Sequence, residues 1–248
     1  MYLLLIYFLI LVIPILVIVR WTYAGGISPY RTVLYGAVGA TAGMVLVFMA
    51  ASVNGPGLFA QINGLVSDMA EEMAKNPMIA DSLGAGELSG EALAKRLEEV
   101  YSSVFALMPA TLMILSLVVS YVEYIIISKI MSKKKQVAML PKFREFSWPA
   151  GAFMGVIGMY LISWLLTMTG VFKDGMVYAN MDMLFNFVFS IQGVSVVLMF
   201  CHMKRVPTAV GIVIAVLMWG VFIFRPVLML LGMLDLIFGI KKRIRGRQ

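Results

Sequence analysis

Asp182, Asn186 and Ser190 stand four residues apart in "NMDMLFNFVFSIQGVSVV" (180–197), a stretch that is otherwise largely apolar. At about 100° per residue they share one helical face, Gly193 continues it, and Gln192 lies about 80° away. An acid, a carboxamide and a hydroxyl in one row can hold a small solute or an ion. The same groups also serve as hydrogen bonds between neighbouring helices, and Asp182 near the end of the stretch could be a plain boundary residue. The residues leave these readings open. Enzymatic chemistry has little to work with. The chain has one histidine, His202, beside Lys204 and Arg205 at a helix end, and one cysteine, Cys201, in an apolar run. No G-x-S-x-G, H-E-x-x-H or P-loop pattern occurs, and no set of metal ligands. The expectation is a protein that is not an enzyme and carries no metal or cofactor.

Three more charged residues fall within or beside apolar runs. Glu123, in "SYVEYIII", has Ser120 and Tyr124 as helical neighbours. It either snorkels toward Lys129 or stays buried as a carboxyl of raised pKa, a group suited to proton coupling. Asp235 precedes Lys241 by six residues, which suits pairing with the basic tail or a neighbouring helix. Arg225, at a helix turn, could touch headgroups or meet Asp182. Asp182, Asn186, Ser190, Gln192 and Glu123 are the candidate solute-binding residues.

The elements that must position these groups are set by the solvent. Of the 248 residues, 61% are hydrophobic and 13% charged, about half the charged share of a soluble domain. Apolar blocks of the length that crosses a ~30 Å hydrocarbon layer cover 2–19, 32–52, 104–128, 149–171 and 182–202. A further run, 207–240, is broken at Arg225-Pro226 and reads as a hairpin of short helices over 207–223 and 227–241. The result is an all-α polytopic bundle of about seven transmembrane helices, a single domain over 1–248. The first run lacks a basic n-region and reads as an uncleaved span.

Charge sets orientation. Residues 53–103 hold eight acids against three bases, a net of −5 in a chain of net +7. The bases elsewhere cluster beside apolar runs, chiefly in "SKIMSKKKQVAMLPKFR" (128–144) and "KKRIRGR" (241–247). The positive-inside rule places those clusters in the cytoplasm, so the N-terminus is outside and the C-terminus inside a bacterial cell membrane. Bases that flank spans do not form a nucleic-acid surface. The acidic 53–103 segment is then an extracytoplasmic helical hairpin, a cap on the bundle or a gate over it. Its first helix has Leu58, Ile62, Leu65, Met69 and Met73 on one face, and its second, capped by Ser89, has Leu93, Leu97 and Val100.

Small residues mark close helix contacts. Gly36, Gly39 and Gly43 form one G-x-x-x-G face and Gly151 and Gly155 a second, for internal packing or for docking a second membrane protein.

The stretches "LPKFREFSWP" (140–149), "IQG" (191–193) and "LLGMLDLIFGIKKRI" (230–244), with a helical insert before a Pro-bearing span at Pro109, resemble the YybS-like family of bacterial membrane proteins. That family is largely a domain of unknown function. The resemblance implies likeness at fold level to the substrate-capture subunits of energy-coupling-factor transporters. It points to an integral membrane protein that binds a small solute from outside and relies on partner chains for energy. The alternative is a membrane scaffold or regulatory protein whose partners dock on the acidic insert or the basic loop.

Overall fold

The computed structural model describes residues 2–24, 28–53, 57–75, 90–132, 139–171 and 175–245. Ten α-helices and no strand occur among them. They are α1 (Tyr2–Ala24), α2 (Pro29–Val53), α3 (Gly57–Ala74), α4 (Gly90–Ala106), α5 (Met108–Ser132), α6 (Ala150–Met168), α7 (Met176–Met203), α8 (Thr208–Gly220), α9 (Arg225–Phe238) and α10 (Ile240–Arg245), with short 3₁₀ turns at Phe143–Glu145 and Phe222–Phe224.

Helices follow here from the solvent. In hydrocarbon every backbone N–H and C=O needs a partner within the segment, and a helix supplies it. The outer faces are correspondingly apolar: Leu4, Leu46 and Ile130 are each well over half exposed. Four helices are long and apolar enough to cross a membrane: α1, α2, α5 and α7. α6 is apolar but shorter. α8 and α9, at 13 and 14 residues, bend by 113° at their junction. Each rises about 20 Å, less than a ~30 Å hydrocarbon layer needs. The hairpin expected over 207–241 is therefore present. The expected count of seven crossings took its arms as two short spans; among the described residues four helices, or five with the bent pair as one span, are long and apolar enough to cross, so that count is not confirmed.

The bundle has two halves. In one, α1 and α2 pack through glycine. A Cβ on Gly43 would fall 2.8 Å from Ile13 of α1, and one on Gly36 would fall 2.6 Å from the Ser120 hydroxyl of α5. Gly39 faces Ile13 too, so this G-x-x-x-G face packs internally. Gly151 and Gly155 differ: both are exposed, and an added Cβ would meet nothing within 4 Å. In the other half α7 is the central helix. Of its spanning residues 56% are buried, against 22–33% in the other three long helices. It packs on α6, α8 and, most extensively, α9. There the backbones touch. A Cβ on Gly193 would run into the Leu228 carbonyl, and one on Gly232 into the Phe189 carbonyl.

The insert forms the expected helical pair. α3 and α4 join through Ala70, Leu93 and Leu97, with Met73 and Tyr101 beside them, and Val66 packs onto the α1–α2–α5 half. The buried face is rotated from the expected one. Leu65 is 61% exposed, Met69 46% and Val100 49%, while Val66 and Ala70 point inward. Beside a bilayer the more apolar face of a helix need not face protein, because lipid solvates it equally well. The Ser89 cap lies outside the described residues.

Candidate functional site

The helix ends define two ends of the bundle. One carries the α3–α4 pair with Glu71, Glu72, Glu91 and Glu98, and is termed the acidic end. The other, where α1 ends and α2 begins, carries Lys142, Arg144, His202 and Lys241, and is the basic end. Polar side chains gather at both ends in different ways.

At the acidic end α7 starts beside the α4–α5 break. Pro109 lacks an N–H and interrupts the helix at Leu107. Backbone groups freed there are met by the buried Asn180. Its amide donates to the Ala106 carbonyl at 2.7 Å, and its oxygen accepts from the Ala110 N–H at 2.9 Å. The proline was visible in the sequence and calls for such a partner, but Asn180 was not among the expected site residues. One turn on, Asp182 and Asn186 are half-buried, and the Asn186 amide donates to Asp182 Oδ2 at 3.0 Å. The Tyr160 and Tyr178 hydroxyls are 2.8 Å apart, and Tyr160 also lies beside the Asp182 carboxylate. The Phe185 ring packs, tilted by 30°, with its centroid 4.4 Å from that of Tyr160. Asp182 has no ion pair among the described residues. Arg225, read as a turn residue touching headgroups or meeting Asp182, donates Nε to the Trp219 carbonyl at 3.1 Å, because the α8–α9 turn folds the side chain back on its own hairpin. Ser190 is buried further along α7.

At the basic end the polar groups are fully enclosed. Gln192 is 0% exposed. Its amide donates to Asp235 Oδ2 at 2.6 Å, and its oxygen accepts from the Trp148 N–H at 3.3 Å. Asp235 Oδ1 accepts from the Lys241 backbone N–H at 2.8 Å, and Oδ2 lies 3.2 Å from Lys241 Nζ. That ammonium also donates to the Phe146 carbonyl and the Ser195 hydroxyl, and the single Ser195 O–H has the Gln192 carbonyl at 2.8 Å or the Phe146 carbonyl at 3.1 Å to donate to. The return of Lys241 to Asp235 depends on Gly239. Its φ of +62° ends α9 in the left-handed region and turns the chain back. Trp148 Nε1 donates to the Val188 carbonyl, and the Phe146 ring packs edge-on to Tyr30 and Trp148. A small cavity of about 210 Å³ adjoins the cluster, lined in part by Glu145, Asp235, Lys241 and Lys242.

The structure thus divides the expected site. Asp182 and Asn186 meet at the acidic end. Gln192 belongs to the other cluster. Glu123 joins neither: its Oε2 is buried without a hydrogen-bond partner among the described residues. Asp235 pairs with the basic tail as expected and with α7 in addition. Lys241 was not foreseen as a site residue, because the turn at Gly239 that brings it inward is a conformational feature.

These features define a polytopic α-helical membrane protein with a closed charged cluster at one end and a more open polar group at the other. Residues 2–236 match the family described as "Predicted membrane protein (DUF2232)", and the chain belongs to that family. A curated relative, "Uncharacterized protein YybS" of Bacillus subtilis (strain 168), is 27% identical over 182 residues. The alignment covers 72% of this chain and 55% of the relative, so the chain spans about half the length of the relative it matches. No solved structure matches it.

Proposed function

We propose that this is a non-catalytic membrane protein that binds a small solute at its acidic end, in the manner of a transporter's capture subunit, with Asp182 as the anchoring charge. One observation carries the reading. Asp182 is a half-buried carboxylate with no cationic partner among the described residues, set beside Tyr160 and close to Tyr178 and Phe185. An uncompensated carboxylate next to aromatic rings suits an amine or quaternary ammonium group, through charge and cation–π attraction. Asn186 holds the carboxylate in place. The basic clusters favour a cytoplasmic basic end, so the solute enters from outside a bacterial cell membrane. Energy for uptake would come from partner membrane proteins.

Thermal denaturation of the detergent-purified chain against a panel of primary amines and quaternary ammonium solutes tests this. A ligand at a hundred times its Kd stabilises by about 2.7 kcal/mol. At least one solute should raise the melting temperature of the parent chain and have no effect on Asp182→Asn. A panel without effect on the parent, or an equal shift in both chains, removes Asp182 as the anchor.

A second reading, a scaffold or regulatory protein, is favoured by the exposed apolar residues Leu65, Met69, Val100 and Val104 on the α3–α4 pair. Such a face with acidic neighbours suits a partner protein. Cross-linking from a photo-reactive residue at position 69 in intact membranes distinguishes the two: a single discrete protein adduct supports docking, and lipid adducts alone do not.

A further inference from the structure

One sizeable cavity belongs to neither cluster. It is a groove of about 780 Å³ between α7, α8 and the 142–144 segment. Its walls are apolar, with Leu198 and Val194 from α7, Ile212 and Val216 from α8, and Trp219 at the far end. Its mouth lies at the basic end and holds Lys142, Arg144 and His202. No acidic side chain lines it; Glu145, which lies 4.0 Å from Arg144, lines the separate small cavity instead. The groove follows α8, whose 13 residues rise about 20 Å, somewhat more than the ~15 Å depth of one leaflet.

We infer that this groove holds an anionic phospholipid of the leaflet at the basic end, with one acyl chain along α8 and the phosphate between Lys142, Arg144 and His202. The occupant is set by two complementary features. An apolar channel of leaflet depth excludes a polar solute. Bases gathered at one end demand an anion at headgroup level, and the guanidinium fork matches phosphate geometry. A zwitterionic lipid would fill the channel equally well but gain less from the mouth.

The test uses the full chain purified in detergent with equal phosphatidylglycerol and phosphatidylcholine, and native mass spectrometry counts the retained lipid. Phosphatidylglycerol should be retained by about tenfold over phosphatidylcholine. Lys142→Ala with Arg144→Ala should bring that ratio near one without changing the melting temperature, since Lys142 is exposed and Arg144 partly so. Val216→Trp, at an exposed position on the channel wall, should reduce retention with the mouth intact. Inorganic phosphate should not displace the lipid. Equal retention of the two lipids, an unchanged ratio in the double variant, or displacement by phosphate alone would overturn the inference. Retention of neither lipid would also overturn it, and would leave the groove for a helix of another chain.

Discussion

The two polar clusters on α7 are about ten residues apart in sequence and differ in nearly every physical respect. At the basic end, Gln192, Asp235, Lys241 and Ser195 are enclosed and joined to one another or to main-chain groups of three separate segments. At the acidic end, Asp182 and Asn186 are half-exposed and satisfied mostly within a single helical turn. A group that binds a ligand must have capacity left when the ligand is absent. The enclosed cluster is bonded across several segments, an arrangement suited to holding those segments together. The open pair keeps a carboxylate with no ion pair among the described residues. Polarity at membrane depth therefore marks two kinds of place, and the number of segments each side chain reaches separates them.

The largest test of this contrast is Lys241→Met. It leaves Asp235 buried and unpaired, which should cost about 3–5 kcal/mol and appear as loss of the monodisperse peak in detergent size-exclusion chromatography. Combining it with Asp235→Leu should recover much of the loss, because an apolar pair removes the uncompensated charge. Gly193→Ala follows, at about 1–3 kcal/mol or more, since its methyl group would collide with the Leu228 carbonyl; the melting temperature reads the cost. Asn180→Ala should cost about 1–3 kcal/mol by leaving the Ala106 and Ala110 backbone groups without partners. Hydrogen exchange at the α4–α5 junction should rise with it. The smallest effect is expected at the open pair: Asp182→Asn should change the melting temperature by less than about 1 kcal/mol equivalent, since a carboxamide still accepts from Asn186. A loss comparable to that of Lys241→Met would erase the contrast.

Much of the architecture was legible in the sequence. Apolar blocks and basic clusters marked the bundle, Arg225-Pro226 marked the α8–α9 hairpin, and Leu93 and Leu97 marked the inner face of α4. Three features were not. The buried face of α3 was misplaced because lipid removes the penalty for exposing Leu65 and Met69. The motif at Gly151 and Gly155 looks like that at Gly39 and Gly43, yet only the latter has a helix in close contact with it. The convergence of "LPKFREFSWP", "IQG" and the closing stretch was also hidden. Their shared physical basis is that Phe146, Trp148, Gln192, Asp235 and Lys241 meet in one cluster, and only the fold brings them together.

The carbonyl-to-glycine contacts between α7 and α9 have a mechanical consequence. Two helices whose main chains touch at Gly193 and Gly232 cannot slide or roll past each other without collision. They form a stiff plank. The seam where α2 and α5 face α6 and α7 is built differently: it holds an apolar void of about 250 Å³ bordered by Thr41, Leu117, Val156 and Leu184.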